Sequence, residues 1–319
     1  MNSRMLPMPC WVLAMAAMFV TIAPSQAQEN AAMALASVRM TVTVMVVNDK
    51  RMPDVSQADV LVKQGKDKLK VTAWVPAQGD NAGLDLFILI DDACDTSLGS
   101  QLDDLRSFIN AQPSTTSVGV GYMRNTTVQI LQNFTTDHAQ AAKVVRLPMG
   151  TPGAYGSPYL SAIDLMKRWP EHKNRREIVM VTDGIDRARR GLRWRGLSTN
   201  PDVRSASDVA QRTGTIIHSI YFPGVGRWHR NFWEATNGQS GIAQLSDETG
   251  GESFYLGFQS PVSFQPYLDT LQKILGNQYL LSFSINPRKS AGLQYVDLST
   301  EVAGVEFDSA DAVWVPAAK

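Results

Sequence analysis

The sequence predicts an α/β fold with a doubly wound, mostly parallel sheet and with β segments at both ends. Three observations lead to this class. Nearly continuous apolar runs, typical of strands buried on both faces of a parallel sheet, occupy residues 84–92, 176–184 and 215–224. Segments with helical spacing of apolar residues alternate with these runs. On either side of this region, apolar and polar residues partly alternate, which indicates half-buried strands.

The first 27 residues have the pattern of a secretory signal peptide. Arg4 supplies positive charge, residues 11–23 are apolar, and Ser25-Gln26-Ala27 matches the small-x-small cleavage pattern. We therefore expect a mature chain that begins near Gln28 and is exported to the periplasm or the extracellular space. The alternative is a retained membrane anchor, but the apolar run is shorter than the ~20 residues of a bilayer span. No later segment is a candidate span, so no stable membrane span is expected.

Charge and cysteine content exclude several classes of protein. The chain has 30 basic and 30 acidic residues, so bulk charge predicts neither nucleic-acid nor membrane binding. Cys94 is the only cysteine beyond the signal peptide, and an intramolecular disulfide is therefore excluded. The histidines lack metal-ligand spacing and are interpreted as structural; they are His138, His172, His218 and His229. A packed core must supply the stability.

The elements follow in order along the chain. Residues 38–80 are predicted to form a small N-terminal β module, with strands at 40–49 and 68–76. The central α/β region covers residues 84–276, and residues 277–319 form a closing β segment that could pack with the first module. Within the central region, helices are predicted at 98–112, 139–147, 158–169, 207–214, 232–251 and 264–277, and further strands at 116–124, 126–134 and 252–257.

Acidic residues end two of the buried strands. Asp91 and Asp92 follow the first strand, and Asp183 ends the strand at 176–184. Ligands of open α/β sheets bind at the carboxyl ends of the strands, so these residues are candidates for a site. The alternative is structural, because strand-terminal Asp often forms turns or caps helices.

Three motifs in this order resemble the von Willebrand factor A domain and its metal-ion-dependent adhesion site. They are IDDACD at 90–95, GAYGSPYLSAID at 153–164 and VTDG at 181–184. The flanking stretches VVNDKRMPDVSQADVLVKQGKDKLKV and NQYLLSF are similar to exported bacterial proteins of the VWFA-related type. The resemblance implies a Rossmann-like fold and a role in protein–protein interaction or adhesion.

The adhesion-site motif is degenerate in this chain. Ala93 and Asp95 stand where the family has two serines, and Ser157 stands where it has threonine, so only Asp91 and Asp183 are retained. The resemblance places a metal site at Asp91, Asp95, Ser157 and Asp183. We expect weak binding of Mg²⁺ or Ca²⁺ at most, with Ca²⁺ preferred. The three carboxylates would overcompensate a charge of two, which leaves a poor receptor for a partner's carboxylate.

Two further features lie beside this motif. Cys94 is interpreted as a small buried residue, although its thiol could also bind a soft metal or a partner's cysteine. The segment 187–203 is the longest stretch without a predicted element. Arginine with tryptophan is typical of interface anchors, and the predicted partner-binding residues are Arg187, Arg189, Arg190, Arg193, Trp194 and Arg195. They could bind an acidic protein or glycan surface; a solvated loop is the alternative.

The sequence therefore favours an exported protein that binds a protein partner at the carboxyl edge of its sheet. A structural subunit of an envelope assembly, with contacts through the β segments, is the second interpretation. An enzyme is the third, since Asp91-Asp92 resembles a phosphoacceptor doublet, but that chemistry is cytoplasmic. The hydrolase, dinucleotide and P-loop motifs are absent, and we expect no catalysis.

Overall fold

The structure is a computed structural model that describes residues 35–46, 53–149, 156–171, 173–188, 200–224, 232–257 and 259–318. Its strands are β1 (Ala36–Val46), β2 (Val60–Gln64), β3 (Asp67–Pro76), β4 (Leu84–Asp91), β5 (Thr116–Arg124), β6 (Thr127–Thr135), β7 (Arg175–Thr182), β8 (Thr215–Tyr221), β9 (Ser253–Phe254), β10 (Gln278–Ile285), β11 (Gly292–Tyr295), β12 (Asp297–Thr300), β13 (Val305–Ser309) and β14 (Ala312–Val315). Its helices are α1 (Leu102–Asn110), α2 (His138–Lys143), α3 (Pro158–Lys167), α4 (Pro201–Thr213), α5 (Phe232–Glu248) and α6 (Gln265–Gly276).

The central sheet is built from the apolar runs of the sequence. Its strand order is β6-β5-β4-β7-β8-β9, and all eight residues of β4 are buried. Strand β4 pairs in parallel with β5 and β7, β7 with β8, and β8 with β9, whereas the edge strand β6 is antiparallel. The α/β class with a mostly parallel sheet is confirmed.

Helices pack on both faces of this sheet because successive side chains of a strand point to opposite sides. Ile88 and Ile90 belong to an apolar cluster with α1, α2 and α6. Phe87 and Leu89 belong to a second cluster with α3, α4 and α5. Full burial of each such side chain stabilises the fold by roughly 1.5–3 kcal/mol.

The two β segments that flank the central region form one antiparallel sheet, in the order β12-β2-β3-β10-β1-β13. Strand β1 lies between β10 and β13, with Val42 opposite Tyr279 on one side and Ser309 on the other. The pair β11 and β14 forms a separate ribbon. Buried valines of β1 and of β14 share one apolar cluster with Phe283 of β10.

Helix α4 begins earlier than the sequence pattern indicates. The predicted helix covers residues 207–214, but the observed helix starts at Pro201. The Asn200 side chain accepts a hydrogen bond from the Asp202 amide at 2.8 Å, and proline fits the first helical position because its missing N–H has no intrahelical acceptor. The segment 187–203 therefore ends in an ordered helix start.

Several predicted features lie outside the described residues. These are the signal peptide at 1–27 and most of the arginine-rich segment, namely Arg189, Arg190, Arg193, Trp194 and Arg195. Within the described part of the chain, no helix is both long enough and apolar enough to cross a bilayer.

Candidate functional site

The carboxyl ends of the parallel strands meet at one edge of the central sheet, and the retained acidic residues lie there. A cleft of about 140 Å³, which we call the strand-end cleft, opens at this edge. Its lining includes Asp91, Asp92, Ser157 and Arg187. Asp95 and Asp183, the other two residues of the expected metal site, are not part of this lining.

Asp183 and Arg187 form a buried ion pair at this edge. The two side chains are four residues apart, and their exposed fractions are 2% and 3%. Arg187 Nη2 contacts Asp183 Oδ2, and Nη1 donates to Oδ1 at 3.2 Å. The Ile185 amide also donates to Oδ1 at 3.0 Å. A guanidinium that donates to both oxygens of a carboxylate fixes its geometry as well as its charge. Both oxygens of Asp183 are therefore occupied by donors.

Asp91 is held by donors from its own chain as well. Its Oδ1 accepts the Ala93 amide at 2.9 Å, and its Oδ2 accepts the Thr182 hydroxyl at 2.8 Å. The pKa of Asp91 is raised to about 6, chiefly by burial and also by the nearby Asp183, while Arg187 opposes the shift. The guanidinium of Arg187 thus supplies positive charge that stabilises the carboxylates of both Asp91 and Asp183.

Asp92 has a second arginine as its partner. Its Oδ1 accepts Arg146 Nη1 at 2.9 Å and the Met149 amide at 2.8 Å. The Arg146 guanidinium lies 4.0 Å from the centre of the Tyr122 ring, and the Tyr122 hydroxyl donates to the Arg146 carbonyl at 2.6 Å. Sequence reasoning missed Arg146, because nothing in its local sequence indicates a contact with a strand 54 residues earlier.

Ser157 and Asp95 serve as caps. The Ser157 hydroxyl accepts the Leu160 amide at the start of α3, at 3.4 Å. The Asp95 carboxylate accepts the Ser97 amide at 2.9 Å, at the start of a 3₁₀ turn. Both contacts satisfy amides that lack a partner inside the helix.

This donor set does not fit Mg²⁺ or Ca²⁺. Metal ions of this kind need several free oxygen ligands, but Asp91 and Asp183 accept donors on every carboxylate oxygen. The described residues contain no group of three or more Asp, Glu, His or Cys side chains arranged to hold a metal. The expected excess of negative charge is also absent from the cleft, because Asp95 lies elsewhere and Arg187 contributes a positive charge.

The position of Arg187 corrects the expectation from the sequence. The sequence predicts Arg187 to be a partner-binding residue, but its side chain is buried against Asp183. Its guanidinium is engaged with the Asp183 carboxylate. The spacing of four residues would indicate an ion pair on a helix, but residues 183–187 are not helical, so the sequence carries no signal for this contact.

The segment after β8, residues 222–224, packs against the ion pair of Asp183 and Arg187. The Asp95 amide donates to the Pro223 carbonyl at 2.9 Å, and Cys94 and Gly224 form an isolated β-bridge. A Cβ atom on Gly224 would lie 2.3 Å from Asp183 Oδ2 and 2.7 Å from Arg187 Nη2. Only glycine fits this approach. Cys94 is buried beneath it, and burial raises the pKa of its thiol, which agrees with its interpretation as a small buried residue.

Exposed apolar side chains are frequent in the segments that follow the carboxyl ends of the central strands. Seven of the nine large exposed apolar side chains of the described residues lie in the loops and the helix start at this edge. We call this surface the carboxyl-end rim; its apolar members are Leu147, Met149, Phe232, Trp233, Tyr255, Leu256 and Val262. Such concentrations of exposed apolar surface are typical of interaction sites.

Comparisons with known proteins were made for sequence and for structure. No protein-family model matches the chain, and no curated protein matches it significantly. Among solved structures, an aerotolerance-related membrane protein from Bacteroides fragilis matches with a TM-score of 0.43 and 10% identity, over 60% of this chain and 98% of that one. The VWA domain of SpRpn10 matches with a TM-score of 0.40 and 12% identity, over 60% of this chain and 96% of that one.

A third match covers more of the chain. The ArnB paralog VWA2 from Sulfolobus acidocaldarius has a TM-score of 0.40 and 8% identity, over 89% of this chain and 76% of that one. The matched structures thus include von Willebrand factor A domains.

Proposed function

We propose that the chain is an exported von Willebrand factor A-type protein that binds a protein partner through the carboxyl-end rim. No metal ion takes part in the contact, and the protein catalyses no reaction. The order of the motifs at 90–95, 153–164 and 181–184 supports the domain type. The pattern of residues 1–27 supports export.

Two observations together support the proposal. Arg187 neutralises the carboxylate of Asp183, and the carboxyl-end rim exposes apolar side chains. The Arg187 guanidinium takes up the carboxylate oxygens that a bridging metal would need. Affinity must then come from other groups, and the rim supplies them: Trp233 is 71% exposed and Val262 is 95% exposed. Aromatic and aliphatic side chains of this kind form the centres of protein interfaces.

The experiment compares variants, since capture of a protein alone proves little. The purified chain is immobilised and exposed to envelope extract of the source organism, with Mg²⁺ or with EDTA. A protein that the unmodified chain captures should be lost when Trp233→Ser and Leu256→Ser are combined. It should remain with Tyr295→Ser, a matched exposed aromatic on β11. EDTA should have no effect.

Two outcomes contradict this proposal. Capture that depends on Mg²⁺ would show a metal in the contact. Loss with Tyr295→Ser and retention with the rim variant would favour assembly through the β segments.

Replacements in the arginine-rich segment, residues 187–195, should change the rates of association and dissociation. Replacing Arg189, Arg190 and Arg193 with Ala should slow association with the captured partner and weaken its salt dependence, because charged side chains steer the encounter between partners. Trp194→Ala should mainly speed dissociation. Surface-plasmon measurements at two salt concentrations test both effects. Unchanged association rates in the triple variant would remove this segment from the interface.

A further inference from the structure

A second cleft opens at the opposite edge of the central sheet, where β7 and β8 begin. Its volume is about 380 Å³, and its walls come from β1, the starts of β7 and β8, the end of α4, and β14. This volume lies in the range of small-molecule sites, roughly 300–1,000 Å³. The cleft shares no lining residue with the strand-end cleft.

The lining of this cleft carries charge of one sign. Five of the described residues that line it are basic and none is acidic; we call it the basic cleft, and its charged members are Arg39, Lys173, Arg175, Arg176 and Arg212. Among the described residues, Arg39, Lys173 and Arg212 have no acidic partner within ion-pair distance. Like charges gathered in a concave site repel one another and attract anions.

Arg175 adds a polar group within the wall. Its side chain is 6% exposed, and it donates to the Leu275 and Ala82 carbonyls, both at 3.2 Å, and to Gln278. Its Nε has no hydrogen-bond partner among the described residues. Its charge faces the buried Glu177 carboxylate at 3.8 Å, so Arg175 is not counted among the groups that would bind an anion.

Arg212 is oriented by an aromatic ring. Its guanidinium lies 4.3 Å from the centre of the Trp314 ring, which holds a flexible side chain in place at the cleft. Arg212 also lies in the last turn of α4, where its charge compensates the negative end of the helix dipole. A structural role and a binding role therefore have to be separated by experiment.

We propose that the basic cleft binds a small anion with several negative charges, carried by carboxylate or phosphate groups, through Arg39, Lys173, Arg176 and Arg212. Several charges are required because a single anionic group would leave most of the four exposed or half-exposed cations unneutralised. Arginine suits either kind of group, since its planar donors match both carboxylate and phosphate oxygens.

Calorimetric titration of the full chain with citrate and, separately, with pyrophosphate tests the proposal. The two probes distinguish a carboxylate ligand from a phosphate ligand. Saturable 1:1 binding of at least one probe is expected. Arg39→Gln combined with Lys173→Gln should weaken it about tenfold or more, as should Arg212→Gln, because each change removes charged donors. Arg39 and Lys173 are exposed, so their replacement leaves the fold intact.

Arg288→Gln is the matched control, since Arg288 is exposed and lies outside the basic cleft. It should bind the probe as tightly as the unmodified chain does. The proposal fails if neither probe binds at millimolar concentration, if the cleft variants bind as tightly as the unmodified chain, or if Arg288→Gln weakens binding equally.

Discussion

The Arg187 side chain gives the strand-end cleft a cation that belongs to the chain itself. Breaking a buried ion pair by removal of one partner leaves an uncompensated charge in a poorly solvated place. The two carboxylates of Asp91 and Asp183 would then face each other without neutralisation. Two carboxylates without a neutralising cation can bind a divalent metal ion. A chain that lacks Arg187 should therefore respond to metal differently from the unmodified chain.

Replacement of Arg187 should therefore destabilise the chain and create a response to metal. Arg187→Ser is expected to lower the free energy of unfolding by about 3–5 kcal/mol. Millimolar Mg²⁺ or Ca²⁺ should recover part of this loss, because a ligand that binds only the native state stabilises it. Urea unfolding with added metal or with EDTA measures both effects.

Asp103→Ser is the control, because Asp103 is exposed in its ion pair with Arg106. It should cost no more than about 1 kcal/mol and show no response to metal. A metal-dependent gain of stability in the unmodified chain would show that Arg187 leaves the carboxylate oxygens accessible.

Gly224 is a second residue on which the ion pair depends. A methyl group there would meet Asp183 Oδ2 at 2.3 Å, so Gly224→Ala must displace either the carboxylate or the segment after β8. We expect a loss of about 1–3 kcal/mol in the free energy of unfolding. Gly276→Ala is the control, since a Cβ atom there meets nothing within 4 Å. Equal stability of the two variants would mean that the segment moves aside at no cost.

At the scale of elements, the turn between β5 and β6 contains local strain. Asn125 and Thr126 have φ angles of 50° and 66°, in the left-handed region that suits a two-residue hairpin but disfavours a β-branched residue. Both residues line the strand-end cleft. Strained backbone of this kind persists only where the surrounding structure enforces it.

Thr126→Gly should stabilise the chain by about 1 kcal/mol, because glycine adopts this conformation without a steric penalty. The neighbouring change Thr127→Gly, at the first residue of β6, should destabilise it instead, since glycine weakens a strand. Thermal unfolding of the two variants gives the comparison. Destabilisation by Thr126→Gly would show that the threonine side chain contributes more than its backbone strain costs.

The sequence predicts elements better than it predicts contacts. The three apolar runs predict β4, β7 and β8, because burial on both faces leaves a continuous pattern. The start of α4 at Pro201 is missed, since its cap at Asn200 lies in a polar stretch without apolar periodicity. The retained Asp91 and Asp183 identify the position of the site in the sequence. The contact of Arg187 with Asp183 is not predicted, because it depends on the path of the chain after β7.

At the scale of the whole molecule, acidic side chains meet where the central region contacts the flanking sheet. We call this group the acidic seam; its members, whose charges act on one another, are Asp247, Glu252, Glu306 and Asp308. The contact is closed by a β-bridge between Thr249 and Ala310. Burial raises the pKa of Glu252, and Asp308 raises it further. Burial also raises the pKa of Asp308, with contributions from Glu306 and Asp247, while His218 opposes the shift.

Both ring nitrogens of His218 have hydrogen-bond partners at this contact. Its Nδ1 accepts the Glu252 amide at 3.0 Å, so the ring proton lies on Nε2, which donates to Glu177 at 2.9 Å.

The raised pKa values of Glu252 and Asp308 predict a pH dependence of stability. A carboxyl group whose pKa is higher in the native state binds more protons there, so its contribution to stability is lost as the pH rises through that pKa. Glu252→Gln removes the ionisable group. The variant should melt at a higher temperature than the unmodified chain at pH 7, and the difference should shrink towards pH 4.

Exposed Glu301→Gln, outside the acidic seam, controls for the change in net charge. The proposed repulsion within the acidic seam would be contradicted if Glu252→Gln changed the melting temperature by the same amount at pH 4 and at pH 7.

The position of β1 between β10 and β13 has a consequence for the order in which the chain can fold during synthesis. Strand β1 is made early, but its hydrogen-bonding partners begin at Gln278 and Val305, near the end of the chain. The central strands need only partners that lie between Leu84 and Phe254. Pairing between distant segments is slow to form and leaves strand edges open meanwhile. In a nascent chain that stops before β10, the apolar face of β1 is therefore uncovered. Chaperones and proteases can bind such exposed apolar surface.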